Sequence, residues 1–153
     1  MKRNKLFIIL AIIVFLIGLV IYSGDKGREE DGNKNVNKEL LTYFEDNIEF
    51  NEIITHAQED INNDNKADLI VVYKENSKYN KMVVVINDEN IHITEPVAAP
   101  KEDVVITFKN IDSKDEIEVM VSGSKNGSVG YAIYRLEEGK MVDLFGEGMD
   151  ACC

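Results

Sequence analysis

The sequence predicts an α+β protein: an N-terminal transmembrane helix, then one amphipathic helix packed on a mainly antiparallel sheet. Three observations carry this. An uncharged apolar run opens the chain, a stretch of four-residue apolar spacing follows a polar tether, and beyond Phe50 the apolar residues fall into short runs divided by turn residues.

The 153 residues suffice for one domain plus an anchor and are too few for two full cores. Residues 6–22 hold no charge and no proline, and nearly all are Ile, Leu, Val, Phe or Ala. As a helix rising ~1.5 Å per residue, this run spans roughly 25 Å, slightly short of the ~30 Å hydrocarbon core. Lys5 can snorkel at one end and Tyr22 suits the interface at the other. Lys2, Arg3 and Lys5 precede the run, so the expected orientation is single-pass in the cell membrane, N-terminus cytoplasmic and remainder extracytoplasmic. A cleaved signal peptide shares the charged start and apolar core. The run exceeds a usual signal core, however, and no A-x-A site follows in residues 19–24, so an uncleaved anchor is favoured.

All 28 acidic residues lie after residue 22, with 14 of the 17 basic ones, so the external part carries about −14. Such a surface repels phosphate, so nucleic acid and anionic lipid are poor partners and no nucleic acid is expected; it attracts hydrated cations weakly and without selectivity.

Residues 23–36 are rich in Gly, Asn, Lys, Asp and Glu and read as a flexible tether. Val36, Leu40, Phe44 and Ile48 then recur every fourth residue, predicting a helix with Asn37 as its cap. Strands are expected at 53–56, 69–73, 82–86, 91–94, 104–108, 117–121, 131–136 and 141–145, with hairpin turns at 87–90 and 137–140 and a long connector at 94–103. The external domain thus covers 37–145, and 146–153 form a flexible tail hinged at Gly146 and Gly148.

The domain contains a degenerate repeat. Asp60-Ile61-Asn62-Asn63-Asp64-Asn65-Lys66-Ala67-Asp68 and the strand after it are echoed about 50 residues later from Asn110-Ile111-Asp112, with two loop residues read as lost in the second copy. Asp60, Asn62, Asp64, Lys66 and Asp68 alternate along a tight loop, a spacing that curls oxygens around a hard cation such as calcium. The EF-hand template fails, since Asn65 replaces its glycine and Val71 its closing glutamate. The stretch resembles the acidic loops of FG-GAP and VCBS-type extracellular repeats, which implies two degenerate β units of that kind. A calcium site and a turn whose Asx side chains bond their own backbone fit the loop equally.

The only two cysteines are the last two residues, Cys152 and Cys153. A terminal pair contributes little packing. Consecutive Cα atoms stand about 3.8 Å apart, whereas disulfides prefer roughly 4.4–6.8 Å, so an internal bond would be strained and easily reduced. Two thiolates on a supple arm instead suit a soft metal: Cu(I), cadmium, mercury, an organomercurial or trivalent arsenic. Nearby carboxylates keep the thiol pKa from falling, which argues against an activated nucleophile. A Cys2His2 zinc site with His56 and His92 matches no zinc spacing. Prenylation of the pair would need the cytosolic side. An intermolecular or mixed disulfide is chemically easy in an oxidising space, and a thiol redox or interaction protein is the alternative reading. Thiol–disulfide exchange catalysis lacks a C-x-x-C helix start. Ser122 to Gly127 read as a hairpin loop, and no enzyme constellation is visible.

A signal-anchored, small, acidic external domain closing in Gly146-Glu147-Gly148-Met149-Asp150-Ala151-Cys152-Cys153 resembles the Cys-Cys-COOH (seleno)protein SaoC family. The resemblance implies accessory service to a selenocysteine-assisted organometal transport system, with ABC-type transporter components or other thiol proteins as partners. Here the dyad holds no selenocysteine. The tail is also similar to the adjacent-cysteine tail of mercuric reductases, but the chain has no flavin fingerprint. The expected protein is therefore a non-enzymatic metal-capture protein, with no obligatory cofactor, a soft metal as cargo and calcium as a further candidate ligand.

Overall fold

The computed structural model describes residues 36–112 and 116–147. Helix α1 (Lys38–Asn47) starts where expected: Asn37 caps it, its side chain accepting the Glu39 N–H at 3.0 Å. The helix stops at Ile48, whose backbone is extended while its N–H still bonds the Phe44 carbonyl. Leu40 and Phe44 lie one turn apart and are wholly buried.

Nine strands follow among the described residues, every pair antiparallel. β1 (Glu52–Glu59), β2 (Asp68–Lys74), β3 (Asn80–Ile86), β4 (His92–Ile93) and β5 (Val97–Ala99) form one sheet in the order β1-β2-β3-β4, with β5 also on β3. β6 (Glu102–Lys109), β7 (Glu118–Lys125), β8 (Ser128–Glu137) and β9 (Lys140–Glu147) form a second sheet in chain order. The expected α+β character holds, with two sheets rather than one. β4 and β5 share one side of β3, pairing Val85–Ile86 and Asn80–Met82 respectively. Between them, Thr94 stands in for a ladder rung: its N–H reaches the Val84 carbonyl and its Oγ1 accepts the Val84 N–H, both at 3.0 Å. The sequence reading placed β5 inside a connector, because three residues are too few for a period to show.

Both faces of β2 and β3 are covered, which is why Leu69 to Tyr73 and Met82 to Ile86 are continuous apolar runs without alternation. On one face Leu69, Val71, Tyr73, Val83 and Val85 meet Leu40 and Phe44 of α1, and Val36 packs at the border of that cluster. On the other, Ile70, Val72, Met82, Val84 and Ile86 meet Val119, Val121, Ala132, Tyr134 and Leu136 of the second sheet. The layers thus run helix, first sheet, second sheet.

Two hairpins turn on a left-handed pair: Asn126-Gly127 (φ 51° and 80°) and Glu138-Gly139 (φ 50° and 75°). β7 continues to Lys125, so Ser122, Gly123 and Ser124, expected in a hairpin loop, are strand residues. Gly123 is required by close approach: a Cβ there would lie 2.5 Å from Pro100 Cβ and 2.6 Å from the Glu102 carbonyl oxygen. No helix among the described residues is long and apolar enough to cross a membrane, and the run at 6–22 lies outside them, as does most of the tether.

Candidate functional site

The acidic loop between β1 and β2 is built by its own side chains. Asp60 accepts the Asp64 N–H at 3.0 Å through Oδ1 and the Asn65 N–H at 2.8 Å through Oδ2. Asn62 Oδ1 also accepts the Asp64 N–H, at 3.1 Å, and Asp64 Oδ1 accepts the Lys66 N–H at 2.8 Å. Asn63 and Asn65 take the left-handed conformation (φ 60° and 66°), which asparagine tolerates better than most residues. These bonds are Asx-turn bonds, the side-chain oxygens accepting the loop's own N–H groups.

Asp68 differs from the rest. It is the first residue of β2 and wholly buried. Its Oδ2 accepts the Ile61 N–H at 3.3 Å and its Oδ1 the Asn87 N–H at 2.9 Å. Burial pushes its carboxyl up to about 6, aided by Asp64 and Asp60 and opposed by those two N–H groups. It stitches the loop, β2 and the β3–β4 turn together.

The second unit repeats this stitch. Glu118 opens β7, is wholly buried, and accepts the Ile111 N–H at 2.8 Å, again seven residues back. Ile61 and Asp68 therefore correspond to Ile111 and Glu118 at one constant offset of 50, so the second loop has lost no residue. The shorter reading arose because Lys114 stands where the first loop has Asp64 and interrupts the alternation of oxygens.

The second unit also adds a cation. Arg135 on β8 donates from Nε to Glu118 Oε1 at 3.0 Å, from Nη2 to the same oxygen, and from Nη2 to Asp112 Oδ2 at 2.6 Å. Its Nη1 lies 3.6 Å from Glu137. Burial alone would raise the Glu118 carboxyl, but the Arg135 bonds and the Ile111 N–H reverse this and hold it below the usual range. The sequence reasoning missed this cluster. Its one signal was that Arg135 is the sole arginine after residue 28 and interrupts an apolar strand.

His56 and His92 do not come together. They lie on β1 and β4, the opposite edges of the first sheet with two strands between, roughly 14 Å apart at the ~4.8 Å strand spacing. A shared Cys2His2 site is thereby overturned. His92 Nδ1 sits 3.0 Å from the Asn90 carbonyl and 3.5 Å from Asp88. An acidic cleft of about 270 Å³ holds His92, Asp88 and Asn62 from the first unit with Glu116 and Glu138 from the second. Among the described residues, no group of three His, Cys, Asp or Glu side chains is placed to hold a metal ion.

Cys152, Cys153 and Gly148 lie outside the described residues. Gly146, expected as a hinge, belongs to β9 and pairs with Ala132. The ladder runs on to Glu147, opposite Tyr131, and the Phe145 and Tyr131 rings stack 5.6 Å apart between centroids. Strand pairing therefore claims two residues of the anticipated tail. No protein-family model, curated protein or solved structure matches the chain.

Proposed function

We propose that this chain captures a thiophilic metal or organometal of the mercury type outside the cytoplasm and passes it on, accessory to a transport or detoxification system. Residues 6–22 anchor it in the membrane, the two β units form an FG-GAP/VCBS-like scaffold, and Cys152 and Cys153 are the ligands. One observation carries the reading: the only cysteines of the chain are its two final residues, adjacent to one another. Each thiol loses its proton on coordination, and a soft ion displaces that proton even from an unactivated thiol. Cargo leaves by exchange, an incoming thiolate of a partner or a transporter component associating before a first one departs. The strand pairing of β9 supports the reading in one respect, because it fixes the base of the tail six residues from the chain end.

Mercury binding tests it. The reduced full-length chain takes up about one Hg(II) or phenylmercury per molecule, and Cys152→Ser with Cys153→Ser abolishes the uptake. Equal uptake by wild type and the double variant, followed by equilibrium dialysis, overturns the reading. A mixed disulfide trapped in cells by Cys152→Ser alone, without metal uptake by wild type, would instead establish the thiol redox alternative.

A further inference from the structure

Asparagine side chains do structural service across the domain. Asn37 and Asn62 accept backbone N–H groups at 3.0 and 3.1 Å, and Asn47, Asn80 and Asn87 donate to backbone carbonyls at 2.8, 2.8 and 3.1 Å. Asn126 differs in two ways. It is the only asparagine of the chain that is followed by glycine. Its backbone N–H donates to Glu102 Oε2 at 3.3 Å, but among the described residues nothing bonds its carboxamide or the Gly127 N–H.

The turn leaves both groups in the open. β7 and β8 close at the Lys125–Ser128 pair, so Asn126 and Gly127 form an exposed two-residue tip. Gly127 has φ 80°, and beyond its chain neighbours no atom lies within 4 Å of where a Cβ would stand. Its nitrogen is therefore clear on two counts: glycine carries no side chain, and no other segment overhangs the tip. Asn126 sits at φ 51°, a left-handed conformation that asparagine tolerates.

We infer that Asn126 is a site of spontaneous covalent modification, its carboxamide passing to a carboxylate through a cyclic imide with the Gly127 nitrogen. The Gly127 N–H gives its proton to hydroxide and the nitrogen attacks Asn126 Cγ. The N–Cγ bond forms as the Cγ–Nδ2 bond breaks, and Nδ2 takes a proton from water and leaves as ammonia. Water then opens the imide. Addition at Cγ breaks the new bond and gives aspartate. Addition at the Asn126 main-chain carbonyl breaks the original peptide bond and gives isoaspartate, whose main chain is one carbon longer. Water enters, ammonia leaves, and nothing is oxidised or reduced. Either product adds a negative charge at a residue whose N–H Glu102 accepts, on a domain already acidic. Isoaspartate also lengthens a tip built for two residues, so the closing Lys125–Ser128 rung loosens. The change is irreversible, and its extent records the age of the molecule.

Ageing the full chain in detergent and warm, mildly alkaline buffer tests this, followed by peptide mass spectrometry. The expected shift is the mass difference between a carboxamide and an acid on the peptide holding Asn126. That peptide converts before any other asparagine peptide, and isoaspartate accumulates beside aspartate. Hydroxylamine, which cleaves cyclic imides, cuts the ageing chain between residues 126 and 127. Asn126→Gln, whose ring would need a further member, loses both signals. Hydrogen exchange at the Lys125 and Ser128 N–H groups rises in aged wild type and not in Asn126→Gln aged alike. Should that variant fold poorly, the mass shift and the hydroxylamine cut in wild type decide by themselves. A wild-type Asn126 that keeps its mass while a synthetic peptide of residues 122–130 converts in the same buffer overturns the inference, as does earlier conversion at another asparagine.

Discussion

Asp68 and Glu118 occupy matching positions, each opening the second strand of its unit and each accepting an isoleucine N–H from seven residues back. Yet burial lifts Asp68 to about 6, while Glu118 is held below the ordinary carboxylate range. The difference lies in what surrounds them. Asp68 has two backbone N–H groups and two acidic neighbours; Glu118 has one N–H, one acidic neighbour in Asp112 and the Arg135 guanidinium, which outweighs it. The isoleucines differ in the same way: Ile61 is sealed between two sheets, and Ile111 is 52% exposed. One loop design thus serves a position inside the stack and a position at its end.

The isoleucine pair gives the largest expected effect. Ile61→Ala should cost about 2–5 kcal/mol, because it opens a cavity between the sheets. Ile111→Ala should cost under ~1 kcal/mol, because solvent fills the vacated space. Urea unfolding measures both, and equal losses would show that the two sites are not different environments.

Next comes the ion pair. Arg135→Met strands a buried carboxylate, so the domain loses stability and the Glu118 carboxyl rises above the ordinary carboxylate range, visible in an NMR titration. Adding Glu118→Gln should restore most of the loss, since the amide oxygen still accepts the Ile111 N–H. A double variant no more stable than Arg135→Met alone would mean that the charge of Glu118 is not what the arginine relieves.

The smallest effect is the pH dependence set by Asp68. Its folded pKa lies above the unfolded value, so the folded state binds the extra proton between about pH 4 and 6. Its contribution is present below that window and lost as the pH rises through about 6. Between pH 7 and pH 5 the wild-type melting temperature should therefore rise relative to that of Asp68→Asn, which cannot titrate. Parallel pH profiles for the two proteins would refute this.

Much of this architecture was legible. The Asn37 cap, the fourfold spacing of α1, the turns at Asn87–Asn90 and Glu137–Lys140 and the repeat beginning at Asp60 are local patterns, each decided by backbone propensity or by which face must be apolar. The strand limits at both ends of β7 were not, because Ser122, Gly123 and Ser124 look like a turn and are kept extended by pairing with Tyr131, Gly130 and Val129. The stretch at Val97–Ala99 and the extension of β9 through Gly146 have the same cause: a neighbouring strand supplies hydrogen bonds that no local signal announces. For the candidate site, the alternating oxygens of the first loop were plain, whereas Glu118 with Arg135 was hidden by 17 residues of separation.

By itself the sequence determined the terminal cysteine pair, the charge of about −14 after residue 22, the uncharged run at 6–22 and the existence of two matching β units, because these are properties of composition and spacing. Only the tertiary structure decided that the units stack as two sheets under one helix, that the histidines part to opposite edges and that Ile61 is sealed between the sheets while its counterpart Ile111 is half exposed. The physical reason is that burial and pairing are settled between segments distant in the chain, and a periodic pattern says which face is apolar without saying what will cover it.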